Sequence, residues 1–279
     1  MTRATLSEVL TPALRDGYAV AGLVVLGWED ARAYVTAAEA EGLPVILQAG
    51  PGCRAHTPLP ILGAMFRTLA ESAKVPVVAH LDHGKTLDEC RAAIDAGFTS
   101  IMFDGSALPL ADNIRATAAA VRLARDNGLS CEGELGFVGY AEGTPGVGTI
   151  PSEAALFEAE TDIDALAVSV GNVHLQREQA AVIDHDRLAE IGAVTRCPLV
   201  IHGGSGLTNA DRALLAHRSP VCKFNIGTEL RQVFGKALRQ RLSDDPALFD
   251  RIAILSAVEG PLVAATKEIL RGIGPIGPK

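Results

Sequence analysis

Aromatic residues are scarce in this chain, with Phe, Trp and Tyr making up 4% of 279 residues and Trp occurring once. An interior without large rings has to be filled by Ala, Val, Leu and Ile, the composition of parallel sheets flanked by helices. There is no C-x-x-C pair. Cys53, Cys90, Cys131, Cys197 and Cys222 are odd in number and scattered, so they read as reduced thiols of a cytosolic protein rather than a disulfide framework. No apolar run is long enough to span a bilayer, and the first residues, Met1 to Glu8, lack the apolar core of a signal peptide. A cytoplasmic protein with no membrane partner is expected. Positive charge is also short: 25 Lys and Arg against 33 Asp and Glu give a net charge of -8. That balance argues against nucleic acid as a partner, although backbone amides can still build a local phosphate site.

What is present is a regular alternation. Hydrophobic residues make up 48% of the chain, enough for a large core, and the length admits one large barrel or two small domains. Short apolar runs at 18–26, 44–48, 75–84, 99–103, 129–135, 165–170, 198–201 and 221–226 read as strands. Helical segments separate them, and a leading helix, Ser7 to Arg15, closes at Gly17. No linker or composition break interrupts the series. The pattern predicts a single (β/α)8 TIM barrel domain over 1–279 with extra C-terminal helices; a doubly wound open sheet is the alternative. Two connections stand out. Gly50, Pro51 and Gly52 form a Gly/Pro loop after the second strand, and the glycine-rich segment Gly136 to Pro151 is too long for an ordinary connection.

The organising stretch is the third strand, which ends in Asp82-His83-Gly84 just before a T-x-x-E capping box at Thr86 and Glu89. In parallel α/β folds that end of the strand is where ligands bind. Other strands close similarly: Asp104 after the fourth, Glu134 on the fifth, His174 after the sixth, His202 after the seventh and Asn225 on the eighth. In a barrel all of these share one rim. Three histidines there suggest a divalent metal, since three imidazoles with an open position are the usual catalytic zinc centre. His80 reads as core or second sphere, and His56, His185 and His217 as loop or helix surface. The run His202-Gly203-Gly204-Ser205-Gly206 before a helix, with Gly227-Thr228 opening the next, can wrap a phosphate in amides and hydroxyls.

Taken in order, Leu81-Asp82-His83-Gly84, Glu134-Leu135-Gly136, Val173-His174, His202 to Gly206 and Lys223-Phe224-Asn225-Ile226-Gly227-Thr228-Glu229 resemble the motifs of class II (zinc-dependent) fructose/tagatose-bisphosphate aldolases. The likeness spans nearly the whole chain. It implies one zinc per subunit on His83, His174 and His202, and an acid/base role for Asp82 on the aldehyde-side oxygen. Asn225 would touch the ketone half, and Glu142, in Gly139-Tyr140-Ala141-Glu142, would move the carbon-bound proton. Gly203, Gly204, Ser205, Gly227 and Thr228 would hold the phosphate of dihydroxyacetone phosphate, while Asp104 and Glu134 offer an alternative cation position. The implied reaction is reversible retro-aldol cleavage of a small phosphorylated sugar through a zinc-stabilised enediolate, by a homodimer or homotetramer. No lysine is placed for a Schiff base.

Three departures touch the substrate. Leu23-Val24 replaces the usual Phe-Asn, Gly50 a Ser or Thr, and Leu175 a Gly beside the sixth-strand histidine, next to a possible monovalent cation. The first two weaken the aldehyde side, so an acceptor other than glyceraldehyde 3-phosphate is expected. Arg54 is the nearby cation that could compensate. A catalytically altered metal-binding homologue and a zinc hydrolase are competing readings. Asp82 and Glu142 argue against the first, and the lack of H-E-x-x-H against the second.

Overall fold

Each predicted run forms a strand in the computed structural model, which describes residues 2–277. The barrel strands are β1 (Val20–Val24), β2 (Val45–Ala49), β3 (Val77–Gly84), β4 (Ser100–Phe103), β5 (Ser130–Leu135), β6 (Ala165–Val168), β7 (Leu199–Ile201) and β8 (Val221–Ile226). Each is parallel to the next, and β8 pairs with β1 through Lys223↔Val20 to Ile226↔Leu23, closing an eight-stranded barrel. Closure excludes the open-sheet alternative. Alternate strand residues then face two different cores. Outward Leu23, Leu47, Leu81, Ile101, Leu166, Ile201 and Phe224 pack under the surrounding helices.

The bottom of the barrel is plugged. Helix Leu6–Asp16 starts at Thr5, whose side chain and Glu8 form a reciprocal capping box, and stops at Gly17 in the left-handed conformation with φ 69°. It buries Leu6, Val9, Leu10 and Ala13 against inward Val20, Ile46, Val78, Ala167 and Val200. Each Val, Leu or Ile side chain among these contributes roughly 1.5–3 kcal/mol. Ligands are left the other end, where the strands finish.

Two bulges decide what points into that end. Between Leu81 and Gly84 strand β3 carries one residue more than β4, whose partners there are Ile101 and Phe103. His83 takes a left-handed φ of 53°, and both Asp82 and His83 face the same cavity. In β8, Leu199 pairs Val221 but Val200 pairs Lys223, so Cys222 and Lys223 both turn inward, Cys222 to the plug and Lys223 to the layer above.

The Gly/Pro loop after β2 proves to be a short helix, Pro51–His56. Proline at its first position is pre-set for helical φ and gives up an amide that has no partner there, so the apparent breaker starts a helix. The long connection after β5 is fastened at its base: Phe137 and Val147 exchange backbone hydrogen bonds, and Gly139–Tyr140 pairs in parallel with Val173–His174. Residues 141–147 are exposed. The chain's last described helix, Arg251–Ile273, packs on helix Trp28–Glu41, with Arg271 donating to both Glu41 oxygens at 2.8 Å. No described helix is long and apolar enough to cross a membrane. All five cysteines are free and buried.

Candidate metal and substrate site

Three imidazoles converge at the open end. His83 stands on the β3 bulge, His174 in the short strand Val173–His174 after β6, and His202 directly after β7. Their ring centroids lie 4.8–5.6 Å apart, and one donor nitrogen from each falls within 4.8 Å of the others. His202 is the most constrained. Its Nε2 bonds Glu132 Oε1 at 3.0 Å, while its Nδ1, 3.8 Å from Glu134 Oε2, is buried with no hydrogen-bond partner among the described residues. An orphaned ring nitrogen costs free energy unless something accepts its lone pair, so a metal fits here. An all-nitrogen trio suits zinc. Asp104 and Glu134 extend the cluster: His83 Nδ1 lies 2.7 Å from Asp104 Oδ2 and 3.6 Å from Glu134 Oε2, which itself has no hydrogen bond.

The charges point the same way. Burial disfavours a charged imidazole at His83, but Asp82, Asp104 and Glu134 outweigh it and push its pKa up to about 9. Burial, with His202 and His83 nearby, pulls His174 down to about 3. Without metal the acidic pocket therefore holds a proton on His83, which a metal must displace. Zinc binding near neutral pH is expected to release about one proton, and apparent affinity to rise about tenfold per pH unit until about pH 9. Calorimetry in buffers of different ionisation heat measures both; pH-independent affinity between about 6 and 8 would show that no proton is displaced from His83 there.

Beneath the imidazoles lies a buried polar layer, of which the sequence suggested only His80, as core or second sphere. Lys223 Nζ donates to Glu132 Oε2 at 2.6 Å, His80 Nε2 is 3.6 Å from the same oxygen, and His80 Nδ1 is 2.9 Å from Ser100 Oγ. All four are fully or almost fully buried. Burial alone would keep Glu132 neutral, but Lys223, the His202 bond and His80 hold it well below the carboxylate range. A signal was available: Glu132 and Glu134 alternate on one strand and so share the inward face.

A cavity of about 310 Å³ sits over these groups. Its wall includes Asp82, His83, Asp104, His174, Gly203, Ser205, Asn225, Gly227 and Thr228, so most predicted site residues are brought together. Asp82 Oδ1 accepts from Asn225 Nδ2 at 3.1 Å, and burial is outweighed by His83, His202 and Lys223, which hold its carboxyl below the ordinary range. Gly203 has φ 67°, and a Cβ there would lie 2.1 Å from the Val173 carbonyl oxygen, so the loop can pass only as glycine. Ser205 Oγ accepts from the Gly227 and Glu229 amides at 3.1 and 3.2 Å. The Gly227 amide expected for a ligand is thus spent, and the Ser205 hydroxyl proton is what remains to donate. Gly204 packs behind the wall, its carbonyl accepting from buried Arg212, which also grips Glu229 at 2.6 Å.

Two residues sit elsewhere. Glu142 is exposed in the loop tip, 3.6 Å from Arg177, and lines a neighbouring cavity of about 320 Å³ with Tyr140, Leu175, Thr228 and Arg231. Arg54 corrects the expectation for it. Its guanidinium donates to the carbonyls of Ala49, Asp82 and His83 at 2.7, 2.6 and 3.1 Å, and it is not part of the cavity wall. It braces the bulge, because a buried guanidinium takes the nearest unsatisfied carbonyls at a strand end.

The family described as fructose-bisphosphate aldolase class-II matches residues 4–277. The fructose-bisphosphate aldolase of Geobacillus stearothermophilus is 35% identical over 292 residues, covering 99% of both chains. That of Staphylococcus aureus strain N315 is 34% identical over 281 residues, covering 98% of this chain and 96% of its own. Among solved structures, the YdjI aldolase of Escherichia coli K12 superposes with a TM-score of 0.87 at 28% identity, covering 99% of this chain and 98% of that one.

Proposed function

The chain belongs to the class II fructose-bisphosphate aldolase family, and from that premise we propose that it cleaves, and in reverse forms, a ketose 1-phosphate, with dihydroxyacetone phosphate as the ketone product. The observation that carries this reading is the convergence of His83, His174 and His202, with His83, His174 and Asp82 on a cavity wall that also carries Gly203, Ser205 and Thr228. His83, His174 and His202 would hold one zinc, with Asp104 and Glu134 as an alternative cation position. Bound zinc would supply Lewis-acid stabilisation of the negative charge that cleavage leaves on the ketone half.

The chain's own groups divide the remaining work. Asp82 takes the proton from the hydroxyl whose carbon becomes the aldehyde, and its carboxylate is kept ionised for that task by the cations around it. Asn225, fixed on Asp82, presents the rest of its amide to the ketone half. Ser205 donates its hydroxyl proton to the phosphate, with Thr228 at the start of its helix and the Gly203–Gly204 turn beside it. Glu142 has to leave Arg177 and cross from the neighbouring cavity to return a proton to carbon, as loop closure allows. A monovalent cation beside Leu175, a homodimer or homotetramer and a cytoplasmic location complete the reading.

The decisive measurement is exchange of the carbon-bound hydrogen of dihydroxyacetone phosphate with solvent deuterium, using zinc-loaded protein and no aldehyde. Stereospecific exchange of one hydrogen is expected. A protein that binds zinc stoichiometrically and shows no exchange would sink the aldolase reading.

A further inference from the structure

Two sets of groups at the open end of the barrel can hold a cation, and they share a residue. One is the trio His83, His174 and His202; the other is His83, Asp104 and Glu134. The second set is buried and rich in oxygen, and Glu134 Oε2 lies in it with no hydrogen bond. A hard divalent ion prefers such oxygens, whereas zinc is well served by imidazole. Because His83 belongs to both sets, a metal on Asp104 and Glu134 would draw His83 away from the trio.

Lys85 already supplies a cation there. It directly follows β3, lines the cavity and places Nζ 2.5 Å from Asp104 Oδ2. Its backbone is fixed too, since its amide donates to Glu89 Oε2 at 2.7 Å beside the Thr86 cap. The dipole of the helix that follows, Leu87–Asp95, disfavours a cation at this point, so the ion pair offsets a local cost. The rest of Asp104 is occupied by the chain itself. Oδ2 also lies 2.7 Å from His83 Nδ1, and Oδ1 accepts from the Ser106 amide and hydroxyl at 3.1 and 2.6 Å. A carboxylate has about four lone-pair sites, and here each faces an internal donor. Lys85 also acts on the charge of Glu134. We propose, resting on the zinc reading above, that Lys85 is the metal-selectivity residue of this site. Its ammonium, a compact point charge, occupies the oxygen-rich position and leaves a divalent ion the all-nitrogen one. His83 then stays with His174 and His202.

The test reads binding rather than turnover. Zinc and Mn²⁺ are titrated separately into metal-free protein, zinc against a chromogenic chelator and Mn²⁺ by loss of its free EPR signal. In Lys85→Met, Mn²⁺ is expected to bind about 10- to 100-fold more tightly than in wild type. Zinc should tighten by less than about fivefold, because its trio is untouched. Lys85→Arg keeps a charge on Asp104 and should stay within about threefold of wild type for both ions. Adding Asp104→Asn to Lys85→Met should cancel the gain in Mn²⁺ affinity, which places that ion on the carboxylates. The Lys85 side chain is 53% exposed, so its replacement leaves the fold intact. No gain for Mn²⁺ in Lys85→Met overturns the inference. So does an equal gain for both ions, which would mark a general effect of charge at the cavity mouth. Wild-type protein that binds no zinc would overturn the zinc reading itself, and this inference with it.

Discussion

Replacing Asp82 by Asn is expected to lower carbon–carbon cleavage by about 10²- to 10⁴-fold while zinc remains bound. The substitution is nearly isosteric, and an amide oxygen can still accept from Asn225 at the 3.1 Å separation seen for Asp82 Oδ1. The β3 bulge has no reason to move, since Arg54 holds it through the backbone carbonyls of Asp82 and His83. What disappears is the base. Asp82 is the buried carboxylate on the Gly50 side of the cavity, its second oxygen 3.3 Å from where a Cβ at Gly50 would be, so substrate can approach it there. Glu142→Ala should behave differently. Glu142 is exposed and, among the described residues, attached only to Arg177, so its loss should leave zinc binding and folding intact and slow hydrogen exchange on dihydroxyacetone phosphate. Native exchange in Glu142→Ala would take that residue out of the mechanism.

The second large effect lies below the site. In Lys223→Met the apolar chain replaces a cation 2.6 Å from Glu132 Oε2, leaving a buried carboxylate whose remaining partners are His202 and His80. Removing one member of a buried pair costs about 3–5 kcal/mol. Some of this returns through His80. Burial, and then Lys223, pull that imidazole down to about 3, so without Lys223 it takes a proton more readily. The double variant Lys223→Met with Glu132→Gln, which removes the stranded charge and keeps an acceptor for His202, should regain most of the stability. Thermal unfolding of the metal-free protein reads all three. If Lys223→Met melts within about 2 °C of wild type, the ion pair is not holding the barrel interior together. The same geometry explains why Lys223 is no Schiff-base nucleophile: it is fully buried and neutralises Glu132.

Much of the fold was legible because the strand signals are local. Residues 45–47 and 77–79 are short apolar runs directly behind Pro44 and Pro76, with Gly50 and Gly84 closing the segments, and such signals need no tertiary context to be read. The helix start at Thr86 was equally plain, since a cap is a bond between residues three apart, whereas the leading helix, read from Ser7, begins at Leu6 behind its cap Thr5. Pro51 misled because proline has opposite meanings inside a helix and at its first position, and only the backbone tells which applies.

The candidate site divides along the same line. Its polar strand ends, from Asp82-His83 to Asn225, follow from the order of residues, because every parallel strand of a closed barrel ends on one rim. Which charges are free is a different matter. Arg54 and Arg231 are both arginines near glycine-rich loops, and nothing in their neighbours along the chain separates them. The β3 bulge brings carbonyls of Asp82 and His83 within reach of Arg54, while among the described residues no acid comes within ion-pair distance of Arg231. Likewise the Glu132–Lys223 pair joins residues 91 positions apart across the barrel interior, made possible by a one-residue slip in β8. Sequence alone determined the barrel and the residue types on its rim, since strand and cap signals are short-range. Only the tertiary structure decided which of those residues are already paired, because pairing depends on distances between strands that the chain brings together last.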